Sequence, residues 1–184
     1  MFLSIGESCW RDSSYFVSSN KYVQLLYDTY DVWLLRIDDK AQRLTRGREE
    51  RIAFRIEPVQ PNQRKGINFS GADAGVFDLA AGLFMIGKGS SASGYYQWTR
   101  EKVLSNLFLS GNRLSQLQMS ADGKVIAFTE EHYHLPPRIV SLKIGKGVSK
   151  VMFESNGHQK KFAWGFSKLI SYTNSAGRLL KGAL

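Results

Sequence analysis

Short runs of alternating apolar and polar residues recur along this chain, and no stretch shows sustained helical periodicity. Because a β-strand points successive side chains to opposite faces, this alternation predicts strands. Turn sequences rich in Gly and Asp separate the runs, such as ADGK at 121–124 and GKG at 145–147. The sequence therefore predicts an all-β fold, with strands at 22–27, 31–37, 41–45, 52–56, 76–79, 83–86, 94–98, 102–109, 114–119, 124–129, 138–144 and 149–153.

The last residues of the chain predict one more hairpin. Within 162–184, two apolar, β-prone runs flank a polar turn centred on 174–177. A natural domain rarely stops inside a half-buried strand that has no terminating sequence. We therefore expect this hairpin to be a junction with a further part of the protein.

Length and composition fit one folded domain with a substantial core. The chain has 184 residues, of which 43% are hydrophobic and 22% are charged. Its one cysteine, Cys9, excludes an intrachain disulfide framework. No apolar run approaches the roughly 20 residues of a membrane span, so no membrane partner is expected.

The net charge of +9 raises the question of a nucleic-acid partner. Acidic residues are mixed with the arginines, and no recognised nucleic-acid motif accompanies them. Solvated strand edges and turns explain the charge better, and we expect no nucleic acid to bind. The densest basic cluster consists of Arg43, Arg46, Arg48, Arg51 and Arg55.

Internal repetition distinguishes among the all-β architectures. The segments 31–45 and 138–153 both have the form of a strand, a polar turn and a second strand. The segment SADGKVIAFT at 120–129 matches a strand-opening phrase that is typical of propeller blades. A four-stranded blade needs about 40 to 50 residues, so the chain would hold roughly three to four blades.

The order of these phrases resembles the propeller of bacterial prolyl-oligopeptidase and dipeptidyl-peptidase-IV-like serine peptidases. The phrases are YDVWL at 30–34, RLTRGR at 43–48, FTEE at 128–131 and ESNGHQKKFAWG at 154–165. Relatives commonly have Asn-Pro where this chain has Asn156-Gly157. The resemblance implies a partial β-propeller of four-stranded antiparallel blades. It also implies that residues 1–184 form one incomplete propeller domain that ends at the junction with an α/β-hydrolase domain.

The same resemblance implies the function and the partners. The catalytic Ser, Asp and His would lie in the hydrolase domain, so we expect no catalytic residue in this chain, although the parent protein would be a serine-type peptidase. The propeller would gate access to the active site and contact the peptide substrate. Open blade edges would favour homo-oligomers. The compartment stays open between bacterial cytoplasm and periplasm.

One glycine-rich stretch mimics several catalytic motifs. The residues GKGSSASG at 87–94 resemble a nucleophile elbow and a dinucleotide-binding loop, and 82–88 has the spacing of a Walker-A phosphate loop, but each motif lacks an essential residue or the helix that must follow it. The stretch predicts a plain hairpin loop.

The histidines raise the question of a metal site. His132 and His134 lie on one side of an extended strand, and His158 is the third histidine of the chain. A zinc site needs three or four convergent ligands. We therefore expect surface histidines in an exposed connection before Pro136 and Pro137, and neither a metal nor a cofactor.

Two acidic pairs are candidates for contact with the substrate. In dipeptidyl-peptidase-IV-type propellers, a pair of glutamates grips the free amino terminus of the substrate. Glu130 and Glu131 end a strand and could face a cavity, so they are the candidate substrate-binding residues. Glu49 and Glu50 lie between arginines, which would neutralise them.

A different class of function stays open beside the peptidase hypothesis. The chain could be a stand-alone β-repeat module that binds proteins or glycans through aromatic and basic loops. At a period of two on strands, however, aromatic residues more often fill the layers between blades. The aromatic residues predicted to do so are Trp33, Tyr95, Tyr96, Trp98, Phe128, Trp164 and Phe166.

Overall fold

The computed structural model describes residues 16–18, 23–36, 40–59, 64–67, 73–101 and 104–184. Within these ranges nearly all regular structure is β, as the sequence predicts. The strands are β1 Phe16–Ser18, β2 Val23–Tyr27, β3 Val32–Arg36, β4 Gln42–Arg43, β5 Ala53–Ile56, β6 Arg64–Ile67, β7 Asp73–Phe77, β8 Leu83–Lys88, β9 Ser93–Trp98, β10 Ser105–Ser110, β11 Arg113–Met119, β12 Val125–His132, β13 Leu135–Lys143, β14 Val148–Glu154, β15 Leu169–Thr173 and β16 Leu179–Ala183. One α-helical turn, α1, spans Gly47–Glu50, and a 3₁₀ helix spans Gly157–Lys161.

The strands form four sheets. The first has six strands in the order β4-β3-β2-β1-β7-β6, the second has the order β10-β9-β8-β5, the third β11-β12-β13-β14, and the fourth pairs β15 with β16. The second and third sheets have the four strands predicted for a blade. The first is larger because the β6–β7 hairpin joins it, through a parallel pairing of β7 with β1.

The first three sheets are stacked face to face, with the second sheet in the middle. Along β8, Leu83 and Met85 belong to the hydrophobic cluster shared with the first sheet. Phe84 and Ile86 belong to the cluster shared with the third sheet. Because a strand directs successive side chains to opposite faces, one strand supplies both cores. This all-β stack of mainly antiparallel sheets is a partial propeller-like fold.

The third sheet is covered on one face only. Its buried face carries Ile126 and Phe128, which are 0% and 2% exposed. On the other face Ile139 pairs with Phe153, and these side chains are 44% and 59% exposed. Every residue of β14 is exposed. The third sheet thus presents an apolar face that no described residue covers.

The C-terminal hairpin forms as predicted. The backbone N–H of Asn174 donates to the Arg178 carbonyl at 3.0 Å, and the Gly177 N–H donates to the Asn174 carbonyl at 3.0 Å. The Asn174 side chain accepts the Arg178 N–H at 2.9 Å. Gly177 has a φ of 74°, a left-handed conformation that glycine adopts without steric cost.

The glycine-rich stretch at 87–94 is the predicted hairpin loop. The Gly89 N–H donates to the Ala92 carbonyl at 2.9 Å, and Gly87 pairs with Gly94 across β8 and β9. The ring of Tyr96 packs beside these glycines and meets Phe54 edge-on, with ring centroids 5.0 Å apart. The glycines therefore make room for aromatic packing.

The position of the two consecutive prolines differs from the prediction. Pro136 and Pro137 were expected in an exposed connection, whereas they lie near the start of β13. Proline is tolerated near the start of a strand, where its missing N–H removes little of the ladder. The Pro137 carbonyl accepts the backbone N–H of Ser155 at 3.2 Å and its hydroxyl at 2.7 Å, which ties β13 to the end of β14.

No helix in the described ranges is long and apolar enough to cross a membrane.

Candidate substrate-contact site

The hairpin between β12 and β13 forms one wall of two adjoining clefts. The clefts have volumes of about 340 and 520 Å³. The 3₁₀ helix and the extended segment after it form the opposite wall. We call these the Trp164 clefts, since both are lined by Trp164 together with Leu135, Pro136, Asn156 and Gln159.

Trp164 and Phe166 are not core residues. They are 53% and 74% exposed, so the prediction that they fill a layer between blades is wrong for these two. Tyr95, Trp98 and Phe128 are buried as predicted, at 1%, 5% and 2% exposure. The difference arises because the buried three lie between stacked sheets, whereas the segment that carries Trp164 has no described sheet against its outer side. An exposed indole beside proline and amide groups can pack against a peptide or a sugar ring.

Glu130 is buried behind this site, and both of its oxygens are occupied. The residue is 2% exposed. Its Oε1 accepts the Ser110 hydroxyl at 2.6 Å and the Asn112 side-chain amide at 2.7 Å. Its Oε2 accepts Nε and Nη2 of Arg138 at 3.0 and 2.8 Å. The carboxylate therefore joins the β10–β11 turn to β12 and β13.

These contacts keep Glu130 ionised. Burial alone would raise the pKa of its carboxyl group, because a low-dielectric environment disfavours charge. The hydrogen bonds from Ser110, Asn112 and Arg138, together with the positive charge of Arg138, outweigh burial and lower the pKa below its ordinary value. Glu130 is a charged structural anchor in the folded protein.

Glu131 has a different environment, because neighbouring strand residues face opposite ways. It lines the larger of the two Trp164 clefts. Its side chain is 30% exposed, and its Oε1 lies 3.3 Å from Nη1 of Arg113. The side chains of the two predicted substrate-binding residues thus lie on opposite faces of β12. Glu131 faces the clefts, and Glu130 lies beneath them.

Arg138 and Glu154, which were not predicted from the sequence, connect Glu130 to the clefts. Arg138 also approaches Glu154, with Nη1 and Oε1 4.0 Å apart, and Glu154 pairs with Lys160 at 2.8 Å. Glu154 and Lys160 both line the smaller cleft. The register of the strands could have identified these two residues: Glu130 pairs with Arg138 across β12 and β13, and Arg138 pairs with Glu154 across β13 and β14. Opposite charges that alternate across three neighbouring strands stabilise that pairing.

One member of the second acidic pair, Glu49, forms an ion pair with an arginine. Oε1 of Glu49 lies 2.5 Å from Nη2 of Arg43, and Nη1 of the same arginine lies 3.7 Å from Oδ2 of the buried Asp31. Arg48 donates to Asp28 at 3.0 Å. These contacts place part of the densest basic cluster in ion pairs around α1.

His132 and His134 come together at the tip of the β12–β13 hairpin. Their Nδ1 atoms are 2.9 Å apart, and their ring centroids are 4.5 Å apart. His158 lies on the 3₁₀ helix, where its ring meets Phe162 at 6.5 Å. Among the described residues, no group of three or more His, Cys, Asp or Glu side chains converges as a metal site would.

Comparison with solved structures relates this fold to peptidases. A serine-to-alanine variant of the AtxE2 isopeptidase with astexin3-dC4 bound overlays 94% of this chain on 25% of that chain, with a TM-score of 0.55 and 11% identity. The apo AtxE2 isopeptidase overlays the same shares, with a TM-score of 0.54 and 12% identity. A prolyl endopeptidase chain overlays 91% of this chain on 30% of its own length, with a TM-score of 0.42 and 12% identity.

At these identities the isopeptidase similarities show a shared fold. The chain spans about a quarter of the length of the isopeptidase chains that it matches. No protein-family model and no curated protein matches the sequence. The chain therefore shares its all-β fold with one part of these isopeptidase chains.

Proposed function

We propose that this chain is the non-catalytic propeller portion of a serine peptidase of the prolyl-oligopeptidase and dipeptidyl-peptidase-IV-like type. The observation that supports the proposal is the overlay of 94% of the chain on a quarter of an isopeptidase chain. The stacked blades and the sequence phrases at 30–48 and 120–165 support it as well.

In this proposal residues 1–184 form one incomplete propeller domain, and an α/β-hydrolase domain follows in the parent chain. The hydrolase domain supplies the nucleophile, the base and the oxyanion hole. The propeller acts sterically, because it admits short peptides to the active site and excludes folded proteins. The exposed face of the third sheet, with Ile139 and Phe153, is where a further blade would pack.

The substrate contact that we propose uses the two glutamates in unequal roles. Glu131 faces the clefts and attracts the ammonium group of a peptide, in competition with Arg113. Glu130 acts as a positioning residue, since it fixes Arg138 and thereby the end of β14 beside the clefts. Trp164 offers an aromatic surface to an apolar peptide side chain.

The first test is the sequence of the gene beyond codon 184. A following hydrolase domain with a G-x-S-x-G elbow supports the proposal. The isolated chain should not hydrolyse proline-containing reporter peptides, and the protein that includes the following domain should. Hydrolysis of these reporters by the purified isolated chain would contradict the proposal.

The second test measures peptide binding to the 184-residue chain by isothermal titration. Short peptides with a free amino terminus should bind more tightly than the same peptides acetylated at that terminus. Glu131→Gln should abolish this preference, and Glu49→Gln should preserve it, because Glu49 lies at α1. Equal binding of free and acetylated peptides by the unmodified chain would exclude an ammonium contact at Glu131.

A second candidate function rests on the exposure of Trp164 and Phe166. Aromatic side chains on an accessible surface also suit a stand-alone β-repeat module that binds proteins or glycans. A stop codon directly after Leu184 would favour this alternative. So would binding of an oligosaccharide that is lost in Trp164→Ala and retained in Trp33→Phe.

A further inference from the structure

The tip of the β12–β13 hairpin holds two imidazoles at a spacing that suits a metal ion. His132 pairs with Leu135 across the hairpin, so Tyr133 and His134 form the turn between the strands. The Nδ1 atoms of His132 and His134 lie 2.9 Å apart, with the rings tilted by 59°. The two nitrogens thus face each other across a short gap.

The 2.9 Å separation is that of a hydrogen bond between the two rings. In the tautomers that form it, one imidazole donates its Nδ1–H proton to the Nδ1 lone pair of the other. A metal ion can replace that proton, because the neutral imidazole nitrogen is among the commonest metal ligands in proteins. Rotation of the exposed rings then directs both lone pairs to one point.

The distance between the two nitrogens determines the nitrogen–metal–nitrogen angle, and this angle favours some metals over others. Metal–imidazole bonds of about 2.05 Å across a 2.9 Å gap give a ligand–metal–ligand angle of about 90°. This angle suits the square-planar coordination of Cu²⁺ and Ni²⁺ better than the tetrahedral coordination of structural zinc sites. For a given set of nitrogen ligands, Cu²⁺ binds more tightly than the other divalent ions of the first row.

We propose that His132 and His134 form a two-histidine chelate for Cu²⁺ through their Nδ1 atoms. Within the described residues no third His, Cys, Asp or Glu completes the group, so water or an added ligand holds the remaining positions. Glu131, the nearest carboxylate along the chain, pairs with Arg113. The sequence predicts no metal because a zinc site needs three or four protein ligands. A copper site with two protein ligands does not need to meet that requirement.

The test is a titration of the 184-residue chain with CuSO₄, followed by isothermal titration and electron paramagnetic resonance. The unmodified chain should bind one Cu²⁺ whose spectrum shows two coupled imidazole nitrogens. His132→Gln and His134→Gln should each weaken this binding by about a hundredfold. With one imidazole removed, the ion loses the second ligand that the first holds at a high effective concentration. Zn²⁺ should bind more weakly than Cu²⁺.

His158→Gln is the matched control, because it removes the third histidine and leaves the hairpin intact. It should leave the affinity and the spectrum unchanged. All variants should keep the circular dichroism and the melting temperature of the unmodified chain, since the two rings interact at the surface. Equal Cu²⁺ affinity in the unmodified, His132→Gln and His134→Gln chains would overturn the proposal, as would dissociation constants above about 0.1 mM, weaker than the chelate requires.

Discussion

Arg138 binds Glu130 across the β12–β13 pair, with Nε and Nη2 both donating to the same carboxylate oxygen at 3.0 and 2.8 Å. The other oxygen accepts the Ser110 hydroxyl and the Asn112 amide. A buried charge is tolerated when it is paired and fully hydrogen-bonded, and Glu130 meets both conditions. The cluster thereby holds the β10–β11 turn against the third sheet.

Removing this carboxylate should destabilise the fold strongly. Glu130→Ala leaves Arg138, Ser110 and Asn112 without their acceptor, and we expect a loss of about 2 to 4 kcal/mol in the free energy of unfolding. Urea denaturation followed by circular dichroism measures this. Glu131→Ala is the control, and it should cost less than about 1 kcal/mol because its partner Arg113 is mostly exposed. Equal losses in the two variants would contradict the structural role of Glu130.

The same carboxylate should make stability depend on acid pH. Its pKa is lowered in the folded protein, so its contribution is present above its ordinary value of 4.5 and is lost as the pH falls through the folded-state pKa. We expect the stability difference between the unmodified chain and Glu130→Gln to be constant near pH 7 and to shrink below about pH 4.5. Urea midpoints measured from pH 7 to pH 3 test this. A difference that grows on acidification would show that the pKa is raised.

Because β9 and β10 approach closely at Gly94, replacing this glycine should lower the stability of the protein. A Cβ atom at Gly94 would lie 2.8 Å from the Phe108 carbonyl oxygen, and backbone cannot move aside as a side chain can. Gly94→Ala should therefore cost about 1 to 3 kcal/mol of stability. Gly157→Ala is the control, because a Cβ atom there meets nothing within 4 Å. Thermal melts that show no difference between the variants would mean that the strands can separate without cost.

The Tyr95 hydroxyl group should be dispensable. The residue is 1% exposed, and its hydroxyl has no hydrogen-bond partner among the described residues. Burial raises its pKa, as expected for a phenol held away from water. Tyr95→Phe keeps the ring contact with Phe128 at 5.0 Å and removes the unpaired group, so stability should stay equal or rise by about 1 kcal/mol. A loss of more than about 1 kcal/mol would reveal a partner for the hydroxyl.

The bare face of the third sheet should drive self-association of the 184-residue chain. The net charge of +9 opposes contact between copies, so association should strengthen when salt screens that repulsion. Sedimentation velocity should show concentration-dependent oligomers that Phe153→Lys reduces. Tyr133→Lys, at the tip of the hairpin, should leave them unchanged. A monomer at every protein and salt concentration would show that the exposed apolar face of the third sheet does not drive association.

The sequence predicted the strands well because period-two alternation and turn residues are local signals. The β8–β9 and β15–β16 hairpins follow from such signals, and both are present. β1 and β6 were not predicted, because neither FVS at 16–18 nor RKGI at 64–67 alternates apolar and polar residues. The parallel pairing of β1 with β7 is a tertiary contact with no local sequence signature.

The site was predictable only in part. The motif at 130–131 located the carboxylates, but their different roles depend on which face of β12 meets the second sheet. Arg138 and Glu154 became site residues through cross-strand register, which alternation alone does not fix. Trp164 was expected in the core because aromatic residues on strands more often fill the layers between blades, but it lies between the 3₁₀ helix and β15, outside any strand, and is 53% exposed.

The alternation of side chains along β8 has a consequence for how the protein comes apart. Because Leu83 and Phe84 anchor different cores from the same backbone, neither core can open without releasing the strand that the other needs. The three stacked sheets should behave as a single cooperative unit whose central amides exchange with solvent only through global unfolding, with a protection that corresponds to the full free energy of unfolding. The β15–β16 hairpin shares no side chain with either core and should exchange its amides independently.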